Sequence, residues 1–331
     1  MKRRDFLKKT TLAAAALPSL AFLDSLPLLA QSAAMPKEAA GKPGLLARRK
    51  YGKTEVFLSV IGFGGIVVRD TEQKEANRFV AEAFEKGVNY FDVAPSYGDA
   101  EIKLGPALEP YRKEVFLACK TTQRGYAGAK QEFERSLERL RTDHFDLYQL
   151  HAITDVQKDV ERAFAEDGAM KLLLEEKKQG RIRYLGFSAH SQEAAAEAMK
   201  RYDFDSVLFP VNFAGYLEGQ FGPEIVTQAR DKGMAILALK ILARQRAPQD
   251  DPVRKQYPKC WYQPITDVEE AKLAMTFTLS QPVTSAVPPG DIRSFRLAME
   301  LAPQIKPITE QQVAQLKTLA ATLNPIFRKQ A

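Results

Sequence analysis

Eight strand-like runs alternating with eight helical ones predict a single-domain α/β fold, a closed (β/α)8 barrel, for this sequence of 331 residues. Three observations carry that expectation. The eight runs are short, rich in β-branched and aromatic residues and apolar on both faces, as buried parallel strands require. Amphipathic helical patterns separate them. Several of those patterns stop at a glycine just before the next run, where a left-handed cap is needed.

The strand-like runs are 57–65, 89–94, 115–120, 145–151, 182–189, 206–213, 234–241 and 284–289. The helical patterns are 73–86, 100–108, 127–140, 165–179, 191–201, 223–232, 268–279 and 292–301. In the first of these, Ala76, Phe79, Val80, Ala83 and Phe84 recur at i, i+3, i+4 spacing, which puts them on one face. Gly87, Gly180 and Gly233 stand at the ends of three helices. Parallel neighbours need long crossovers, and the helices supply them. Eight such units suit a TIM barrel better than a doubly wound sheet. Residues 47–60 alternate around Gly52-Lys53-Thr54 and read as a hairpin closing the barrel bottom. The barrel is thus expected over 47–305, and 306–331 as a C-terminal helix and tail. No repeat of solenoid period and no break in composition marks a second domain.

The front of the chain is of another kind. Residues 1–9 hold five cations and one anion, and 10–23 are apolar. Fourteen residues rise about 21 Å as a helix, short of a ~30 Å hydrocarbon core. A basic start, a short apolar stretch and small residues around Ala30, Ser32 and Ala34 make a secretory leader over 1–34. Arg3-Arg4-Asp5-Phe6-Leu7-Lys8 resembles the twin-arginine export motif, which implies a protein exported after folding, to the periplasm, with the twin-arginine translocon as a transient partner. Residues 35–46, rich in Ala, Pro, Gly and Lys, read as a linker. The formal charge of +7 then loses its apparent meaning. Without residues 1–30 there are 43 cations against 39 anions, an ordinary balance that calls for no nucleic-acid partner. Two cysteines exclude a disulfide scaffold or a four-cysteine cluster, and three histidines leave little room for a metal site.

Chemistry in such barrels collects where strands end. The second strand ends at Asp92, with Tyr97 five residues on. The third ends at Lys120 and the fourth at His151. Each has a structural explanation taken singly: an ion pair, a rim aromatic, a core histidine. Together they converge on one mouth and suggest proton transfer to an oxygen. A phenol titrates near pH 10, so Tyr97 needs help as an acid, and Lys120 beside it is expected to lower its pKa. Asp92 would hold Lys120, and a neutral His151 would orient a substrate carbonyl. A carbonyl so placed can accept a hydride, which only a cofactor supplies.

Four ordered motifs now resemble those of the aldo-keto reductase family. Ile61-Gly62-Phe63-Gly64-Gly65 lies on the first strand. Phe91-Asp92-Val93-Ala94 with Tyr97-Gly98-Asp99-Ala100-Glu101 is like the family's FDTA and YG.(S/A)E signature, and Leu104-Gly105 continues it. Asp146-Leu147-Tyr148 with His151 resembles its D-L-Y-x-x-H strand. Lys178 to Ser188 is like its KxGKIRxxGxS segment. The resemblance covers about residues 51–301 and implies an NAD(P)H-dependent oxidoreductase that reduces a small aldehyde or ketone. It makes Asp92, Tyr97, Lys120 and His151 a catalytic tetrad, with Tyr97 the proton donor. The implied cofactor is NADPH, with NADH as the alternative, and no metal.

The same resemblance implies cofactor contacts, with departures. Gly64 closes the first strand. Ser188 sits where the family holds the nicotinamide carboxamide, but its usual Asn neighbour is Ala189, followed by His190. On the sixth strand only Asn212 offers an amide. On the seventh, Leu239-Lys240-Ile241 stands where an aromatic ring is common, and Lys240 is a candidate for the pyrophosphate. Pro289 and Gly290 resemble the family's phosphate loop before a helix start. Arg296, with Arg293 as its neighbour, matches an arginine for the 2′-phosphate, and Glu300 falls where Asn often meets adenine.

Residues 243–266 form a long loop holding the single tryptophan, Trp261, and read as a lid. Its Arg244, Arg246, Arg254 and Lys255 would favour an acidic substrate or simply keep the loop soluble. A second functional reading is a nucleotide-retaining redox sensor or partner-binding barrel with little turnover. Export sharpens the choice. The periplasm does not regenerate NADPH by metabolism, so the protein must keep its nucleotide or draw on a periplasmic electron donor.

Overall fold

The computed structural model describes residues 37–39 and 45–329, so the expected leader at 1–34 lies outside the described residues. Within them, β1 (Glu38–Ala39), β2 (Arg48–Lys50) and β3 (Phe57–Ser59) form an antiparallel sheet. Part of the stretch read as a linker therefore pairs as a strand. Eight further strands form one sheet: β4 (Phe63–Gly64), β5 (Tyr90–Asp92), β6 (Phe116–Thr121), β7 (Phe145–Ile153), β8 (Ile182–Ala189), β9 (Ser206–Pro210) and β10 (Ala235–Leu239), with the eighth after a small hairpin of β11 (Ala243–Arg246) and β12 (Tyr262–Pro264). That last strand is β13 (Ser285–Val287). All its ladders are parallel and in chain order. A parallel bridge between Ile61 and Ala286 joins the two ends, so the sheet closes into the expected barrel.

The expected first strand, 57–65, is in fact two. Asn89 Oδ1 accepts from Ser59 N at 2.7 Å, and Ser59 Oγ donates to Ile61 O at 2.7 Å. These bonds turn the chain out of the hairpin and into the barrel. Gly62 permits the turn because a Cβ there would lie 2.4 Å from the Tyr90 ring.

The helices follow the sequence pattern. Helix Gln73–Glu85 buries Ala76, Phe79, Val80 and Ala83 against the sheet. Gly87, with φ +91°, turns its end back into β5, and Val88 N donates to Ala83 O. A wide turn, Val156–Glu161, capped by Asp155, and a short helix, Arg162–Phe164, come first; helix Ala169–Lys178 starts later than expected because Ala165 is extended and Gly168 N donates back to Ala165 O at 2.8 Å. The pattern did not reveal a short helix after β9, Phe213–Leu217. The terminal helix is Glu310–Ala320, started by a Thr309–Gln312 capping box. The chain then runs back toward the mouth.

Tyr51 shuts the barrel floor. Its ring is buried against Phe116 and Tyr184, and its hydroxyl donates to Ser206 Oγ at 2.7 Å. Leu58, Leu147, Leu208 and Leu237 pack around it. Among the described residues no helix is long and apolar enough to cross a membrane.

Candidate active site

Residues on alternate positions of a strand share a face. Asp92 therefore points inward with Tyr90, and His151 with Gln149. The barrel interior gathers them. Lys120, fully buried on β6, donates to Asp92 Oδ2 and, at 3.1 Å, to Val93 O. Asp92 Oδ1 accepts from Tyr90 OH and Gln149 Nε2, both at 3.2 Å. A carboxylate in a dry barrel is thus held by an ammonium and two neutral donors. The acceptor oxygen of Gln149, also buried, has no partner among the described residues. Sequence reasoning passed over Tyr90 and Gln149, although their period-two spacing from Asp92 and His151 was the available signal.

Tyr97 arrives from the loop after β5. Its backbone N–H donates to Ala94 O, and Gly98 at φ +64° carries the chain into helix Ala100–Leu108. The ring stands over Lys120, with Nζ 5.1 Å from its centroid, and edge-to-face with His151 at 5.6 Å. So the four expected residues do come together. Burial raises the Tyr97 pKa, and although Lys120 pulls it down, the net direction is upward. This corrects the expectation that Lys120 would lower it: its pull is present but burial outweighs it, and before a ligand binds Tyr97 is a protonated acid. Burial also pulls Lys120 down, but Asp92 and Tyr97 outweigh it, and Lys120 remains charged. Burial, then the charge of Lys120, lowers His151 to about 2, so it is neutral at any working pH. Its Nδ1 lies 3.4 Å from Ser96 Oγ.

Other motif residues hold the frame. Buried Glu101 accepts from Ser136 at 2.6 Å and pairs with Arg139 at 3.3 Å. Asp146 accepts from Leu117 N and Arg112, both at 3.0 Å, locking β7 to β6. Cys119 faces outward toward Glu101, as alternation with Lys120 requires.

The expected cofactor positions ring the same mouth. Ser188 Oγ accepts from Ala152 N at 2.7 Å and keeps its own O–H to donate. Asn212 caps helix Phe213–Leu217 through Oδ1, leaving its amide nitrogen for a ligand. Gly64 and Gly290 serve packing: a Cβ at Gly64 would lie 3.0 Å from Val287, and one at Gly290 would lie 2.3 Å from Ile66. Pro289 O accepts from Asp291 N at 2.8 Å. Asp291 itself caps helix Ile292–Leu301, so a carboxylate stands at the helix start where phosphate was expected. Arg293 is held by Asp291 at 2.9 Å and donates to Gln256 O at 2.5 Å. Arg296 is held by Glu82 through two bonds of 2.8 and 2.6 Å. Lys240 has no such partner; its Nζ lies 5.2 Å from the Trp261 ring and 4.8 Å from that of Tyr262.

The expected lid is an ordered strap across the mouth. It contains β11, a short helix Pro252–Gln256 and β12. Lys259 reaches over to donate to Val67 O at 2.8 Å, in the loop after β4. The C-terminal tail pins the near side: Arg246 N donates to Asn324 O, and Arg246 Nη2 to Ile326 O at 3.1 Å. Phe327 stacks on His190 and Phe221, each at 5.1 Å. Nothing in the sequence marked Phe327 as part of this rim.

Residues 60–260 match the model of the Aldo/keto reductase family. The chain belongs to that family, a family of oxidoreductases. The uncharacterized oxidoreductase YqkF of Bacillus subtilis is 30% identical over 177 residues, 49% of this chain and 55% of that protein. The chain thus spans about half of YqkF, while YrpG of the same organism is 27% identical over 85% of this chain and 94% of its own. The holo form of an aldo-keto reductase from Bacillus halodurans superposes with a TM-score of 0.65, at 23% identity, over 85% of this chain and 99% of that one. An aldo-keto reductase from Klebsiella pneumoniae, solved in complex with NADPH, gives 0.63 at 20% identity over 85% and 96%. These likenesses match the barrel fold.

Proposed function

We propose that the protein reduces an aldehyde or ketone with NADPH, or with NADH as the alternative donor, and that Tyr97 gives the proton. The observation that carries this reading is Tyr97 over the buried Lys120–Asp92 pair, edge-on to a neutral His151. The nucleotide, when bound, would supply the hydride. Ser188 O–H and the Asn212 amide are free to hold its carboxamide, and Lys259 of the strap, bonded to Val67 O beside the Gly290 loop, is placed to neutralise phosphate. Arg293 and Arg296 would have to share their carboxylates with it.

The residues then act in order. His151 offers a hydrogen bond that fixes the carbonyl oxygen. Tyr97 donates its proton to that oxygen as charge builds on it. Lys120 stabilises the phenolate left behind, and Asp92 keeps Lys120 charged and in place. The strap and tail keep water from the exchange. Steady-state reduction of an aldehyde and ketone panel by wild type and Tyr97→Phe tests this; undiminished turnover in the variant would sink it.

We further infer that the twin-arginine translocon exports the folded protein to the periplasm, on the strength of Arg3-Arg4 and the apolar stretch behind them. Fusion of residues 1–46 to a folded reporter, with and without Arg3→Lys and Arg4→Lys, tests that. One observation favours the second reading, a sensor that retains its nucleotide or meets a periplasmic electron donor: the strap is tied down on both sides, through Lys259 and Arg246. Nucleotide still bound after exhaustive gel filtration, with no turnover of the panel, would select it.

A further inference from the structure

Lys240 is left unused by the chemistry above. It follows β10 directly and holds φ at +67°, a left-handed backbone that side chains other than glycine seldom adopt. Strain of this kind persists where neighbouring structure enforces it, and it gathers at ligand sites. Ala152, just after His151 on the same mouth, is another such residue, with φ +54°. The Lys240 ammonium lies between two aromatic rings, and no carboxylate of the described residues lies within ion-pairing distance of it. Rings compensate a desolvated cation only in part. An anion would complete the arrangement.

The neighbouring cations are engaged. Arg244 pairs with Glu270 at 2.8 Å, Lys255 with Asp250 at 3.3 Å, and Arg246 donates to the tail. Arg254 is exposed on the outer helix Pro252–Gln256. The suggestion that this loop favours an acidic substrate therefore passes from those four residues to Lys240.

Direction decides which anion. Lys240 lies against Trp261, Trp261 meets Phe327 edge-on at 6.2 Å, and Phe327 stacks on His190 at 5.1 Å, so the amine stands on the side of the mouth where β8 ends; burial is the main cause that lowers His190 and His151, and the charge of Lys240 adds to it. Lys259, on the strap, instead donates to Val67 O at 2.8 Å and Thr71 Oγ1 at 3.3 Å, in the loop after β4 that packs on Gly290 of the expected phosphate loop. The mouth thus has one amine, Lys259, beside the phosphate loop and another, Lys240, on the side of His190. A single ammonium matches a single negative charge, whereas a phosphate dianion calls for more donors than Lys240 alone offers.

We propose that Lys240 is a specificity-determining residue that binds a carboxylate on the carbonyl substrate, so that the preferred substrates are oxo-acids whose reacting carbonyl sits at Tyr97 and His151. This rests on the carbonyl reductase reading but is testable apart from it. Trp261 is the chain's single tryptophan, half exposed, and touches Lys240, so it reports occupancy of the site without any turnover.

The experiment uses full-length protein saturated with NADP⁺ and excited for tryptophan fluorescence. It is titrated with 4-oxopentanoate and with the methyl ester of that acid, ketones that NADP⁺ cannot reduce, so that the complex is a dead end. A saturable change with the acid, at least about tenfold weaker with the ester, lost in Lys240→Met and restored in Lys240→Arg, is the expected result. In turnover, the ratio of kcat/KM for 4-formylbenzoate to that for its methyl ester should fall about tenfold in Lys240→Met and recover in Lys240→Arg. The same comparison is made with 4-oxobutanoate and its ester. An equal response to acid and ester, or a Lys240→Met protein that responds as wild type does, overturns the proposal. So does a variant whose NADP⁺ affinity falls while both ratios hold, since Lys240 would then serve the pyrophosphate. Selective fluorescence binding without reduction of any panel compound would keep the carboxylate site and sink the reductase reading instead.

Discussion

On the β5–β7 side of the mouth, the proposed catalytic groups spring from strand ends or the loop that immediately follows, and Asp92 accepts from Lys120, Tyr90 and Gln149. On the β9–β13 side, Lys240, Arg293 and Arg296 extend from a loop and a helix, and their neighbours come from distant segments: Trp261, Gln256 and Glu82. The first region is fixed by the barrel itself. The second is assembled from parts that can exchange partners. On the proposed function, chemistry that tolerates no misplacement would lie on the rigid side, and recognition of ligand charge on the adjustable one.

The sharpest way to break this comparison is at Tyr97. Tyr97→Phe should lower kcat for carbonyl reduction by about 10²–10⁴-fold while nucleotide affinity, read by fluorescence titration, survives. Lys120→Met comes next. It strips Asp92 of its cation inside a dry barrel and should cost about 3–5 kcal/mol of stability by chemical denaturation, besides activity. If it cost little, the β5–β7 side would not be the rigid half.

Acid should act mainly through two histidines. Burial puts His151 at about 2 and His190 at about 4 in the folded chain, both below the ordinary 6.5. Unfolding therefore takes up protons below pH 6.5, and stability is lost as pH falls from there toward 4. Each histidine contributes about 1.4 kcal/mol per pH unit at most. Denaturation midpoints between pH 7 and pH 4.5 should fall for wild type and flatten in a His151→Gln/His190→Gln variant.

The smallest effect is expected at Arg296. Its pairing with Glu82 is partly exposed, so Arg296→Ala should change stability by under about 1 kcal/mol. The same variant sharpens the view of the adjustable side: weaker binding of NADPH with NADH unaffected would show that Arg296 leaves Glu82 for the 2′-phosphate.

What could be read in the sequence follows the same division. Asp92, Lys120 and His151 were legible because a strand's period and its apolar run fix where its last inward residue falls. The barrel was legible for a related reason: glycine caps and helical spacing are local signals. The break between Ser59 and Phe63 was not, because it depends on Asn89, 30 residues away, accepting the Ser59 N–H. Nor were the partners of Arg293 and Arg296, or the seat of Phe327 on His190. Those are side-chain meetings between segments that share no pattern, and only the closed fold brings them together. The direction of the Tyr97 shift was missed because a sequence shows a neighbouring charge but not how dry the site is.

Tyr51 gives the barrel a single doorway. With the floor shut by its ring and its bond to Ser206, the barrel interior is reached from the other end, and on the proposed reading substrate and nucleotide would share that opening. Whichever lies deeper would then load first and leave last, so traffic through this protein would be a queue, and its kinetics should show a compulsory order.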